Sequence, residues 1–204
     1  MKRIKLSDET NFIGCWNIND NNLCTDIIDL FENNKKFHKK GSTGKGIDEK
    51  VKKSIDMTIQ PNDCNKEDFK ALKKYVKKLF ECYQDYKILW PFLDETFNAL
   101  DISAFNIQKY EAGGHFSKIH CERGSISHMH RVFAWMTYLN DVDSGGETNF
   151  EHFKLKIKPE AGKTLIWPAE WTHAHKGEVL KSGLKYIVTG WMHLPFNFQV
   201  PQKV

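Results

Sequence analysis

The hydrophobic positions change their period about halfway along the chain. In the first hundred residues Leu23, Ile27, Leu30 and Phe31 recur at three and four, which predicts a helix near 21–33. Phe69, Leu72, Tyr75, Val76, Leu79, Phe80 and Tyr83 predict a longer helix over 65–85, with lysines on its other side. An aromatic stripe at that spacing is assigned to packing against a sheet. A shorter helix is predicted from Pro91 to about Leu100. Residues 12–19 read as a short strand, and Ile55, Met57 and Ile59 alternate with Ser54, Asp56 and Thr58 as in a half-buried one. From Ile102 onward short strands dominate: 105–110, 132–139, 154–158, 163–167 and 185–191. Turns at Gly113-Gly114, Gly145-Gly146 and Pro159 to Gly162 separate them. The expected fold is α+β but mainly β: a double-stranded β-helix, or jelly-roll, core with N-terminal helices packed on one outer face.

With 204 residues, one domain over 1–204 is expected, with 1–101 as mainly helical support and lid and 102–193 as the metal-binding jelly-roll core. The Lys- and Gly-rich stretch 35–50 reads as a mobile loop and a lid over the substrate. Its Gly41-Ser-Thr-Gly-Lys-Gly is not a phosphate loop, because Gly46 is followed by Ile47 and Asp48 where the mechanism needs Lys and then Ser or Thr. Hydrophobic content of 40% and charged content of 27% are those of a globular chain. No apolar run approaches the ~20 residues of a membrane span, and the first residues lack a secretory core segment, so no membrane association and a cytoplasmic location are expected. Five cysteines without a C-x-x-C pair point to reduced thiols. The net charge of +4 comes almost wholly from lysine, with Arg3, Arg123 and Arg131 the arginines, which argues for a solvated basic surface and against a nucleic-acid partner.

Candidate chemistry centres on His120-Cys121-Glu122. In a strand, residues two apart share a face, so His120 and Glu122 can enter the barrel together while Cys121 points away. A third ligand comes from His173 or His175, which would also share a strand face. Two imidazoles and one carboxylate on one side of a metal form the facial triad of non-heme Fe(II) oxygenases. Lys185, within an apolar strand, needs an anionic partner if it is buried, and a dicarboxylate would supply one. His128-Met-His130 supplies the start of a cupin-type metal site, but 133–136 contain no carboxylate to complete it. A non-catalytic jelly-roll binding module is the remaining alternative, and it gives no reason to keep the triad together with Lys185.

Several ordered motifs over about 103–193 resemble the Fe(II)- and 2-oxoglutarate-dependent dioxygenases, specifically the prolyl 4-hydroxylase-like branch. They are Tyr110-Glu-Ala-Gly-Gly-His-Phe, His120-Cys-Glu, Arg131 followed by Tyr138-Leu-Asn-Asp-Val, Gly145-Gly-Glu-Thr-Asn-Phe, Ile157-Lys-Pro-Glu-Ala-Gly, and His175-Lys-Gly through Gly183-Leu-Lys-Tyr. The resemblance implies that His120, Glu122 and His175 are the iron ligands, that Lys185 pairs with the distal carboxylate of 2-oxoglutarate, and that Tyr138 and Tyr110 hydrogen-bond that co-substrate. It implies Fe(II), 2-oxoglutarate and O2 as cofactors, with ascorbate as an accessory reductant. The reaction implied is C–H hydroxylation coupled to decarboxylation of 2-oxoglutarate to succinate and CO2. Peptidyl-proline, another amino acid or a small molecule would be the substrate. Glu122 stands where Asp is commoner in the family, which adds a methylene and keeps the carboxylate; its retention favours hydroxylation over halogenation.

Overall fold

The computed structural model describes residues 1–97 and 99–195. Strands β1 (Lys2–Arg3) and β2 (Gly14–Asn17) lead into helix α1 (Asn21–Asn33). Strands β3 (Lys39–Lys40), β4 (Lys52–Lys53) and β5 (Ile55–Ile59) precede helices α2 (Lys70–Leu89) and α3 (Phe92–Thr96). Next come β6 (Asp101–Ile102), β7 (Phe105–Glu111), β8 (His115–His120), β9 (Arg131–Tyr138) and β10 (Thr148–Phe150). The series ends with β11 (Leu155–Ile157), β12 (Lys163–Pro168), β13 (His175–Gly177) and β14 (Leu184–His193).

Among the described residues the strands form two antiparallel sheets. The larger has nine strands in the order β1-β2-β12-β9-β14-β7-β5-β3, with β6 also on β14; the smaller runs β11-β10-β13-β8-β4. This is the expected mainly-β jelly-roll with the helices on one outer face. Period-2 alternation in the large sheet makes two cores from the same strands. Trp16, Phe133, Trp135, Ile166 and Val188 face the helices and pack with Leu23, Ile27, Phe31, Leu72, Tyr75 and Leu79. Cys15, Tyr110, Ala134, Met136, Tyr138, Leu165, Trp167 and Ile187 point the other way, into the barrel, where Phe150 and Ile157 of the small sheet meet them. A chain of buried hydroxyls ties helix to sheet, Tyr75 Oη to Thr137 Oγ1 at 2.8 Å and Thr137 Oγ1 to Thr164 Oγ1 at 2.8 Å.

Local chemistry explains where elements begin and end. The side chain of Asp20 accepts from the Leu23 amide and caps α1, which spans the expected residues. Phe12 and Asn19 have φ of 56° and 50°, so the first strand stops short of the predicted 12–19 on both sides. The long helix starts later than expected, because Pro61–Asn65 and Glu67–Phe69 are 3-10 turns broken by an extended Lys66, and it runs on to Leu89. The predicted 91–100 helix is confined to Phe92–Thr96, and its Asn98 lies outside the described residues. Asp56 breaks the expected alternation of its strand by being buried, since Lys52 Nζ donates to it at 2.6 Å. Segment 35–50 is not a free loop. Lys39 and Lys40 pair with Asp56 and Ile55, and the Gly41 amide bonds the Ser54 carbonyl. None of the described helices is long and apolar enough to cross a membrane, and all five cysteines are free.

Gly190 in β14 shows how closely the helix-side core is filled. A Cβ there would lie 2.6 Å from Trp135 Cζ2 and 2.7 Å from Phe105 Cβ. Gly190→Ala is therefore expected to destabilise the fold by about 2 kcal/mol through overpacking, read as a lower midpoint in urea unfolding at unchanged slope.

Candidate functional site

Strand β8 delivers His120 as its last residue, and β13 begins with His175 directly opposite it in register. Glu122 lies in the turn after β8 rather than in the strand, so strand alternation is not what brings it to His120. The turn is stapled instead: the amides of Glu122 and Arg123 both donate to the Ala169 carbonyl at 3.1 and 3.2 Å, and Arg123 pairs with Glu170. His120 Nε2 and His175 Nε2 then lie 3.7 and 3.5 Å from the same oxygen, Glu122 Oε1. One donor atom from each of the three lies within 4.8 Å of the others, and this is the one group of three or more metal-type donors among the described residues. His128 and His130 belong to no such group.

Each ligand-type atom is presented by a second contact. His120 Nδ1 bonds the Lys118 carbonyl at 2.8 Å and His175 Nδ1 bonds the His173 carbonyl at 2.9 Å. A carbonyl can only accept, so both imidazoles carry a proton on Nδ1 and turn Nε2 toward Glu122. Burial, with His120 nearby, holds His175 down to about 4, so it is a neutral imidazole at pH 7. The other carboxylate oxygen, Glu122 Oε2, accepts from Trp191 Nε1 at 2.5 Å and lies 3.7 Å from Arg131 Nη1. The Arg131 guanidinium in turn stacks over the Trp191 ring at 3.6 Å. Phe116 stacks on His120 with centroids 4.0 Å apart, and Trp167 meets the His175 ring edge-on at 5.1 Å. The buried Trp167 indole N–H has no acceptor among the described residues. Two imidazole nitrogens and one carboxylate oxygen brought within 4.8 Å of one another fit a divalent transition metal of the Fe(II) type.

His173 does not share a strand face with His175. It sits in a 3-10 turn, Trp171–His173, and its Nε2 bonds the Asn11 carbonyl at 2.9 Å, anchoring the N-terminal segment. Lys185 is buried on the inner face of β14, with Nζ donating to the Gly146 carbonyl at 2.9 Å and lying 4.3 Å from the Tyr110 ring centroid. Gly146 has φ of 74°, and a Cβ on it would lie 3.2 Å from Lys185 Cδ, so the glycine turn fits closely around the lysine. Burial lowers Lys185 to about 8, against the opposing pull of Glu147. The Tyr138 hydroxyl is engaged with Thr148 Oγ1 at 2.6 Å and the Ile157 carbonyl at 3.2 Å. The Tyr110 hydroxyl donates to Gln108 Oε1 at 2.8 Å. Sequence reasoning gave no role to Trp191 and Arg131, the residues that hold Glu122. Trp191 had a signal: it stands six residues after Lys185 in one strand, and an even spacing puts both on the inner face.

Residues 105–193 match the family model of the 2OG-Fe(II) oxygenase superfamily. No curated protein matches the chain. Among solved structures, the viral collagen prolyl hydroxylase of Paramecium bursaria Chlorella virus-1 in complex with 2OG superposes with a TM-score of 0.66 at 17% identity, covering 91% of this chain and 97% of that one. A Trichoplax adhaerens prolyl hydroxylase in complex with a hypoxia-inducible-factor oxygen-degradation-domain peptide gives 0.69 at 14% identity, covering 90% and 84%. A Pseudomonas putida prolyl-4-hydroxylase gives 0.68 at 14%, covering 91% and 94%. At such identities the structures speak for the fold, and the family match over the jelly-roll strands speaks for the chemistry. Residues 105–193, from β7 through β14, thus carry a 2OG-Fe(II) oxygenase domain on the fold of the prolyl hydroxylases, and the activity it supports is that of a 2-oxoglutarate-dependent dioxygenase.

Proposed function

We propose that this enzyme hydroxylates a prolyl residue in a polypeptide, with His120, Glu122 and His175 holding Fe(II) and Lys185 holding the distal carboxylate of 2-oxoglutarate. The observation that carries the metal assignment is the shared aim of His120 Nε2 and His175 Nε2 at Glu122 Oε1, with both tautomers fixed by backbone carbonyls. Support for a polypeptide substrate comes from the likeness to prolyl hydroxylases, one of which is seen with a bound peptide. The whole chain acts as one unit in this reading, and its free cysteines suit the reducing cytoplasm.

Each residue has a distinct task. The imidazoles and Glu122 would hold the metal at which the co-substrate and O2 react. When bound, Fe(II) and 2-oxoglutarate supply the oxidation, in which 2-oxoglutarate loses CO2 to become succinate and one atom of O2 enters a substrate C–H bond; ascorbate would serve as accessory reductant. Trp191 and Arg131 hold Glu122 by its other oxygen, so the carboxylate presents one oxygen to the metal position. Lys185 has three N–H donors, of which Gly146 takes one, and its burial leaves the ammonium seeking an anion. The aromatic and aliphatic walls formed by Phe150, Trp167 and Ile187 limit water inside the barrel.

His120→Ala and His175→Ala are expected to abolish Fe(II) retention. Trp191→Phe should weaken it about tenfold while leaving the protein folded, the usual cost of losing a residue that orients a ligand. Anaerobic titration with Fe(II) and 2-oxoglutarate reads all three through the visible metal-to-ligand charge-transfer band, and full iron occupancy in either histidine variant overturns the ligand assignment.

Lys185 gives a pH dependence. Its ammonium is the form that attracts a carboxylate, and in the free protein it is lost as pH rises through about 8. The Kd for 2-oxoglutarate should therefore be flat below that point and rise by about tenfold per pH unit above it, until the value of the bound lysine is reached. Lys185→Arg, which stays charged, should bind more weakly at neutral pH but without the alkaline rise. A wild-type affinity that does not change between pH 7 and pH 9.5 would remove Lys185 from the anchor.

A further inference from the structure

The positive charge of this chain is concentrated in one ordered segment. Residues 35–53 carry eight lysines against Asp48 and Glu49, a net +6, whereas the whole chain has +4; the remainder is net acidic. The segment is a strap between the free edges of the two sheets. Its first arm, β3, is the outermost strand of the large sheet, and its second, β4, is the outermost strand of the small one. Lys52 and Lys53 pair with Phe116 and His115 of β8, the strand that ends in His120. Ser117 adds two bonds, from its amide to the Val51 carbonyl and from its hydroxyl to the Lys50 carbonyl.

The strap is held in shape from within. Lys40 bridges to Glu49 across its two arms at 2.7 Å, Thr43 and Gly46 exchange backbone bonds at its tip, and the buried Lys52–Asp56 pair fastens it to β5. Lys39, Lys45, Lys50 and Lys53, together with Lys118 of β8, are exposed, and among the described residues none of them has a carboxylate within ion-pair distance. Lys74, Lys87, Lys109 and Lys163 elsewhere in the chain each have one. Of these exposed cations, Lys50, Lys53 and Lys118 lie at the strand that carries the metal-site histidine, while Lys39 and Lys45 extend the array into the strap. Ser117, beside Lys50, is three residues from His120, or about 10 Å of extended backbone.

We propose that this strap is a docking surface for acidic segments of the polypeptide substrate, engaging carboxylates about three or more residues from the hydroxylated position. The proposal rests on the reading of the substrate as a polypeptide. Charge complementarity selects the partner, and a preordered cationic array loses little freedom on binding it. The strap contains no arginine, the residue on which nucleic-acid readers rely for forked contacts.

The test uses the Fe(II)- and 2-oxoglutarate-loaded protein under anaerobic conditions, with the charge-transfer band recorded on the same sample. Fluorescein-labelled peptides carry one proline and, four residues to its N-terminal or C-terminal side, a run of glutamates or of glutamines. In anisotropy titrations one acidic peptide is expected to bind about tenfold tighter than its glutamine counterpart, and to lose most of that preference between about 50 mM and about 200 mM salt. The triple variant Lys45→Glu/Lys50→Glu/Lys53→Glu should abolish the preference, while Lys73→Glu/Lys77→Glu, on the exposed face of α2, should retain it. Equal binding of acidic and glutamine peptides with the band present overturns the strap proposal, as does a preference that survives the triple variant. So does a single-stranded RNA oligonucleotide that binds more tightly than the acidic peptide and is lost with the triple variant. A preference with the expected variant pattern but no band supports the strap and counts instead against the oxygenase reading on which the substrate assignment stands.

Discussion

The site depends on how one carboxylate is divided. Glu122 sits in a turn, where no strand or helix ladder fixes its direction, and its side chain is nearly buried between two imidazoles and a guanidinium. Alone, such a group would cost several kcal/mol to take out of water. Here Trp191 and Arg131 satisfy Oε2, and Oε1 is left as the atom both histidines face. The division requires the turn after β8, the end of β12 and the inner face of β14 to be fastened together. Ala169 does the first part by accepting from Glu122 and Arg123 while its own amide donates to Val132. The β14–β9 pairing does the second by setting Trp191 opposite Ala134, three residues after Arg131.

The large sheet serves structure and chemistry at once because its two faces carry different residues. Trp135, Ile166 and Val188 meet the helices on the outer face, and the cost of folding is met largely there. The inner face is then free to carry groups that a simple core would not tolerate, including the buried ammonium of Lys185. A single strand, β14, contributes Val188 to the helix-side core and Lys185 and Trp191 to the barrel interior. A one-residue slip of its register would exchange these sets, which is why pairing with both β7 and β9 along its length matters.

Much of this was legible in the sequence wherever a pattern had enough repeats. Helix α1 lies where its apolar spacing places it, and β7, β9, β11, β12 and β14 were recognisable as strands. Strands β10 and β13, at three residues each, are too short to show a period, and they exist because they pair with each other, β10 also with β11 and β13 also with β8. The spacing of His120 and Glu122 suggested a shared strand face, but a turn bonded to Ala169, distant in sequence, is what brings Glu122 round. His173 and His175 were equivalent as letters. What separates them is a 3-10 turn and the carbonyl of Asn11, 162 residues away, and no local signal carries a contact of that kind.

The basic strap outside the barrel and Lys185 inside it are ends of one buried chain of contacts with a fixed polarity. Lys52 Nζ and Ser54 Oγ donate to Asp56, and Gln108 Nε2 also donates to it, at 3.1 Å. A carboxylate can only accept, so the Gln108 amide must turn its nitrogen to Asp56 and its oxygen to Tyr110. Tyr110 then spends its proton on Gln108, and its ring, rather than its hydroxyl, is what Lys185 lies against. The Lys185 ammonium is therefore oriented by a π face and a glycine carbonyl. The orientation of that face is set from the strap by Asp56, one of the few acidic groups in this protein that is buried rather than left in water.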